Sequence, residues 1–152
     1  IYSCDNICIT GGEPLLQVDQ VALMTEKFIN INKNIILETA GHIEPPNIFQ
    51  SKNTVISMDC KCPSSKMDNS LNIRNLLKLK NKDQIKFIID DNNDYLYSKE
   101  IIKKHKFRAQ LIFQPTWGSS IKLLTEKVLS DNLNVRVLPQ LHKDIWGDLK
   151  GK

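Results

Sequence analysis

Short apolar runs alternate with amphipathic stretches along the chain. Six runs read as β-strands, at Asn6–Ile9, Asn34–Leu37, Thr54–Met58, Gln84–Ile89, Ala109–Phe113 and Asn134–Leu138. Between them Val21, Met24, Phe28 and Ile31 recur at helical spacing, and so do Ile121, Leu124 and Val128. Weaker helical patterns cover Leu71–Leu79 and Tyr95–His105, and Pro45-Pro46-Asn47 opens a short helical turn through Phe49. This alternation predicts βαβ units and a parallel sheet. The strand runs read as continuous rather than alternating, which predicts a sheet covered on both faces. No repeat, low-complexity tract or linker breaks the order, so a single domain over 1–152 is expected.

With 152 residues the chain is long enough for a real core. No apolar run approaches the roughly 18 residues of a membrane span and no signal peptide is visible, so a cytoplasmic location is expected. The formal net charge is only +4, and the lysines are scattered or sit in helix-end runs such as Lys103-Lys104-His105-Lys106. Direct nucleic-acid binding would need basic residues interleaved with aromatics on one face, and that pattern is missing. The four cysteines, Cys4, Cys8, Cys60 and Cys62, do not make a secreted disulfide framework, which agrees with a reducing compartment.

Parallel α/β folds place ligands beyond the C-terminal ends of their strands. The residues there form a series of polar clusters. Thr10-Gly11-Gly12-Glu13 follows the first strand and Glu38-Thr39-Ala40-Gly41-His42 the second. Asp59-Cys60-Lys61-Cys62 follows the third, Asp90-Asp91-Asn92 the fourth and Gln114-Pro115-Thr116-Trp117 the fifth. Gln140-Leu141-His142-Lys143 follows the last. Paired glycines allow positive φ and close approach of a ligand to the backbone, and Pro14 pre-sets the helical turn behind them. One rim rich in hydrogen-bonding groups points to a polar ligand. Taken alone, a Gly-Gly turn is more often a plain strand-to-helix connection.

The string Thr-Gly-Gly-Glu-Pro-Leu at 10–15 resembles the GGEP motif of the radical S-adenosylmethionine superfamily. ITGGEPLLQ, ILETAG, ISMDCKCPSS, QIKFII, FQPTW and RVLPQLHKDIWG, in this order, are similar to the 7-carboxy-7-deazaguanine synthase family within it. The resemblance implies a partial parallel (β/α) barrel. It implies a [4Fe–4S] cluster that reductively cleaves S-adenosylmethionine, and radical ring contraction of 6-carboxy-5,6,7,8-tetrahydropterin with loss of ammonia, assisted by magnesium. The product feeds queuosine or archaeosine formation. A flavodoxin or ferredoxin electron donor and a homodimer are implied as partners. Carried onto this sequence, Gly11, Gly12 and Glu13 hold the methionyl end of the cofactor. Glu38, Asp59, Cys60 and Lys61 line it, Gln114, Pro115, Thr116 and Trp117 contact adenosine, and Thr10, Gln140 and His142 contact the substrate.

The family's three cluster cysteines, spaced C-x3-C-x2-C, and its magnesium-binding threonine belong to a loop upstream of the GGEP strand. Cys4 and Cys8 have the first spacing but no third cysteine follows, so the pair reads as a decoy, with Cys8 packed as a small hydrophobe. The chain is therefore expected to be N-terminally truncated, with the cluster cysteines and the magnesium ligand upstream of Ile1. Cys60 and Cys62 lack partners for a zinc site and are packing or rim residues by the bland reading. By the same reading Lys61 is a snorkelling surface lysine. His105 is expected in solvent, His42 is undecided, and a lone His142 would more often be structural without its motif. A glycyl-radical activating enzyme and a catalytically inactive barrel fragment are the competing readings, the former through Asp59-x-Lys61.

Overall fold

Six parallel strands carry the chain in strictly sequential order. The computed structural model describes residues 3–67 and 72–149. The strands are β1 (Asn6–Ile9), β2 (Asn34–Thr39), β3 (Thr54–Cys60), β4 (Gln84–Ile89), β5 (Gln110–Pro115) and β6 (Arg136–Val137). The helices are α1 (Val18–Asn30), α2 (Ile73–Lys78), α3 (Asn92–Lys104), α4 (Ile121–Ser130) and α5 (Leu141–Trp146). Short 3₁₀ turns at Pro14–Gln17, Asn47–Gln50 and Pro63–Ser65 fill out the connections. Two expectations fall outside the described residues. One is Leu71, the start of an expected helix; the other is Ile1, upstream of which the cluster and magnesium ligands are expected.

Sequential order has a geometric consequence. Right-handed crossovers between successive neighbours place every helix on the same face of the sheet. One face is then covered and the other is left open, the arrangement of a partial (β/α) barrel. Burial follows it. Ile35, Leu37, Met58, Ile85, Phe87 and Phe113 point to the helical side and are fully buried. Tyr95 of α3 and Leu124 and Val128 of α4 join them in one core. Phe113 takes the edges of Phe87 and Tyr95 at centroid distances of 5.5 and 5.9 Å.

β2 and β4 therefore alternate, which corrects the expectation of runs buried on both faces for those strands, whereas β3 and β5 also bury Ser57 and Ile112 on the other face. The open face carries the other parity. The pairings Cys8↔Ile36↔Val55, Glu38↔Ser57↔Gln84 and Asp59↔Lys86↔Ile112 put these side chains in rows across it. Three strands also run further than their apolar cores suggest, because polar residues on the open face need no burial. β2 reaches Thr39, β3 reaches Cys60 and β5 reaches Pro115. Glu38, Asp59, Cys60, Gln114 and Pro115 thus sit in the strand ends rather than in the loops after them. β6 shrinks to two residues at the sheet edge.

In α1 the buried stripe is Val21 and Thr25, with Phe28 packed beside it. Met24 and Ile31 are exposed, since the apolar residues at 18, 21, 28 and 29 set a face about 100° per residue that leaves them out. Ile121, at the start of α4, is likewise partly exposed.

Candidate functional site

The site is assembled where β1, β2 and β3 leave the sheet. Gly11 (φ 95°) and Gly12 (φ 32°) both take positive φ. A Cβ at either would meet no protein atom within 4 Å, so the constraint on these glycines is conformational and the space above them is free. Among the described residues their amides have no protein partner.

Glu13 turns the other way. Its side chain is 7% exposed, and its carboxylate accepts hydrogen bonds from the Leu15 amide at 3.0 Å, the Thr39 hydroxyl at 2.9 Å and the Ala40 amide at 2.7 Å. It caps the 3₁₀ turn at Pro14–Gln17 and ties the exit of β1 to that of β2. His42 approaches the same carboxylate at 3.9 Å. The Glu13 side chain is thus engaged within the protein, and its backbone lies at the glycine edge.

A second cluster crosses the open face. The Thr10 hydroxyl donates to Glu38 at 3.3 Å, and Lys86 reaches the other Glu38 oxygen at 3.4 Å. The same ammonium lies 3.5 Å from Asp59, whose second oxygen is held by Lys61 at 2.9 Å. Two carboxylates and two ammonium groups thus form a neutral chain from β1 to β4. Lys86 is absent from the expected site because it lies inside a strand. Its signal is nevertheless visible, a lone charge in the middle of the apolar run QIKFII.

Cys60 borders the groove that runs past β3 and β4, but not through an exposed thiol. Its side chain is fully buried on the helical side, opposite in parity to Asp59, so its thiol does not line the open face. Burial pushes the thiol pKa of Cys60 well up, and that of Cys62 up to about 11 despite a hydrogen bond with Ser98 that lowers it. Cys8 departs from expectation. It is exposed on the open face of the edge strand, not packed as a small hydrophobe. His105 is half-buried against the Phe107 ring rather than in solvent.

A groove of about 340 Å³ continues the site past β3 and β4, lined by Cys60, Lys61, Cys62, Ser64, Ser65, Ile88, Asp90 and Thr116. Asp94, fully buried at the start of α3, shapes it by accepting from the Ser64 amide and hydroxyl and from the Asp90 amide. Thr116 donates to Asp90 at 2.6 Å, and Gln114 donates to the Pro139 carbonyl at 2.9 Å. Pro115 is buried on the helical side, while Trp117 is 52% exposed. Gln140 caps α5 through its backbone carbonyl, and His142 lies exposed on that helix. Thr10 leaves the β1 edge of the sheet, whereas Gln140 and His142 follow β6 at the other edge. The structure thus links Thr10, Glu38, Asp59 and Lys61 through Lys86, with Gly11 and Gly12 directly after Thr10, while Gln140 and His142 follow the strand at the opposite edge. A cavity of about 560 Å³ lies between α3 and α4 and shares Asp90 with the groove.

No family model matches the chain. The chain is 37% identical over 145 residues to the 7-carboxy-7-deazaguanine synthase of Thermoplasma acidophilum, covering 95% of this chain and 69% of that relative. It is 36% identical over 139 residues to the enzyme of the same name from Methanospirillum hungatei, covering 91% of this chain and 58% of the relative. A third relative so named, from Koribacter versatilis, is 33% identical with 91% and 67% covered. The crystal structure of QueE from Escherichia coli superimposes with a TM-score of 0.71 at 19% identity, over 91% of this chain and 57% of that one. That likeness shows the fold, a six-stranded parallel sheet of partial-barrel type. With the sequence relatives beside it, the chain belongs to the 7-carboxy-7-deazaguanine synthase family.

Proposed function

We propose that the open face beside β1, β2 and β3 binds S-adenosylmethionine, and that the protein acts in making 7-carboxy-7-deazaguanine from 6-carboxy-5,6,7,8-tetrahydropterin, a carbon–nitrogen lyase reaction. The observation that carries the reading is the Gly11-Gly12 edge, with two unpartnered amides and free space above them. The backbone there suits the polar methionyl end of the cofactor. Glu38 and Asp59 offer acceptors to ammonium and hydroxyl groups next to it, and Lys61 offers a cation to a carboxylate. When bound, S-adenosylmethionine supplies the radical-generating chemistry; the chain's own residues bind and orient it.

The residues present do not fit the iron–sulfur cluster or magnesium. Among the described residues no three His, Cys, Asp or Glu side chains converge, and two of the four cysteines are buried in the core. The pterin substrate, a flavodoxin- or ferredoxin-type reductant, homodimer formation, a cytoplasmic location and a role in queuosine or archaeosine formation belong to the same proposal. No described helix is long and apolar enough to cross a membrane.

The test is anaerobic turnover. Protein carrying this chain is incubated with reductant, S-adenosylmethionine and the pterin, and the products are followed by mass spectrometry. Formation of 7-carboxy-7-deazaguanine supports the reading. Cleavage of S-adenosylmethionine with hydrogen abstraction from a glycine-containing protein, and none of that product, would favour an activating enzyme instead.

A further inference from the structure

We propose that Lys86 is the positioning residue of the open-face site, an inference that rests on the S-adenosylmethionine reading for its ligand and on the structure for its geometry. A lysine in the interior of a parallel strand is unfavourable on both propensity and desolvation grounds. Lys86 is only 17% exposed at its side chain, so its ammonium is not simply snorkelling to water. It is shared between Glu38 at 3.4 Å and Asp59 at 3.5 Å, carboxylates that come from two neighbouring strands.

Like charges on adjacent strands repel each other, and one cation between them turns that repulsion into a fixed pair. Lys86 takes one oxygen of each carboxylate. The second Glu38 oxygen faces the Thr10 hydroxyl and the second Asp59 oxygen faces Lys61. Without Lys86, Glu38 keeps a single neutral hydroxyl and Asp59 a single lysine, so both side chains regain rotamer freedom. A site whose acceptors must be reordered by each arriving ligand binds it more weakly than one aimed in advance. Lys86 thus acts through Glu38 and Asp59, with no need to touch the ligand.

The competing explanation is an ion pair that merely stabilises the sheet. Two measurements on the same variants separate the two. Carbon-13 resonances of the Glu38 and Asp59 carboxyls report their surroundings with no ligand present, and calorimetry reports the dissociation constant for S-adenosylmethionine. Lys86→Met keeps the stem and removes the charge, Lys86→Arg keeps the charge, and Val128→Ala destabilises the core on the far side of the sheet. The expected result is moved carboxyl resonances and affinity weakened by about tenfold or more in Lys86→Met, as for loss of a charged hydrogen-bond partner. In Lys86→Arg the affinity should stay within roughly threefold by the same arithmetic, and Val128→Ala should move neither readout. If Lys86→Met does not fold, Lys86→Gln takes its place. Unmoved carboxyl resonances, or an equal loss of affinity in Val128→Ala, would overturn the proposal. If the unaltered protein binds no S-adenosylmethionine the ligand reading fails, whereas binding that is equally tight in Lys86→Met overturns the positioning role alone.

Discussion

Replacing Glu13 by Gln tests the latch that shapes the glycine edge. The carboxylate has three donors on it, with the Thr39 hydroxyl facing both oxygens and the Leu15 and Ala40 amides one each. In Glu13→Gln one oxygen becomes an NH₂ group. If the remaining oxygen stays on Leu15, the amide of Ala40 loses its acceptor and faces another donor. The Thr39 hydroxyl can rotate and keep a bond. A hydrogen bond to a charged group contributes about 1.5–3 kcal/mol, and a buried donor left unsatisfied costs about 1–3 kcal/mol. Only one partner is fully orphaned, so the expected loss is about 2 kcal/mol. Glu13→Ala also removes the cap of the 3₁₀ turn, which adds about 1 kcal/mol. Urea unfolding reads both, and with a slope of roughly 2 kcal/mol per molar the Gln variant should lower the midpoint by about 1 M. Glu44→Gln, which breaks only the exposed pair with Lys78, is the control and should shift it by less than about 0.5 kcal/mol. If Glu13→Gln behaves like Glu44→Gln, the carboxylate is not the latch described here.

Three further outcomes follow from the packing. Alkylation of the native protein at mildly alkaline pH should label Cys4 first, Cys8 more slowly because burial and then Glu38 raise its thiol, and spare Cys60 and Cys62, whose burial keeps them as thiols; mass spectrometry before and after denaturation checks this, and labelling of Cys62 in the folded state would contradict it. The Asp131 carboxyl is held below its ordinary value, first by the hydrogen bond from Lys99 and then by that from Tyr95. A depressed carboxylate stabilises the fold above its unfolded pKa and loses that contribution as pH falls through the folded one. The stability gap between the protein and Asp131→Asn should therefore be full at neutral pH and close below about pH 4, and a gap that widens on acidification would refute it. Thr25 is fully buried and its hydroxyl has no hydrogen-bond partner among the described residues, so Thr25→Val should be neutral or stabilising by about 1 kcal/mol in urea unfolding, and a clear loss would reveal a partner for the hydroxyl.

Much of this architecture is legible in the pattern of apolar residues, for a physical reason. Buried strands such as Gln84–Ile89 need β-branched and aromatic residues, and that demand leaves a plain trace. Strand ends are not legible. On the open face Glu38, Asp59 and Gln114 are tolerated at strand ends because they are only partly buried there, so hydrophobicity stops before the strand does. The glycine edge is visible because positive φ restricts the choice of residue. The direction of a side chain is not, as Glu13 and Cys60 illustrate. Glu13 turns inward because three donors converge on it, and Cys60 because strand parity puts it opposite Asp59. Lys86 escapes any reading that takes a strand interior for core, because half of each strand faces an open surface.

The central claim is that S-adenosylmethionine binds on the open face at the ends of β1, β2 and β3. Amide chemical-shift mapping of nitrogen-15-labelled protein during titration with S-adenosylmethionine tests it most directly. The account predicts that the largest shifts fall on Gly11, Gly12, Glu38, Asp59 and Lys61, and that Gly12→Val, which forces a β-branched residue into positive φ, abolishes them while the dispersed spectrum remains. Shifts confined to Tyr95, Leu123, Leu124 and Lys127, around the cavity between α3 and α4, would contradict it.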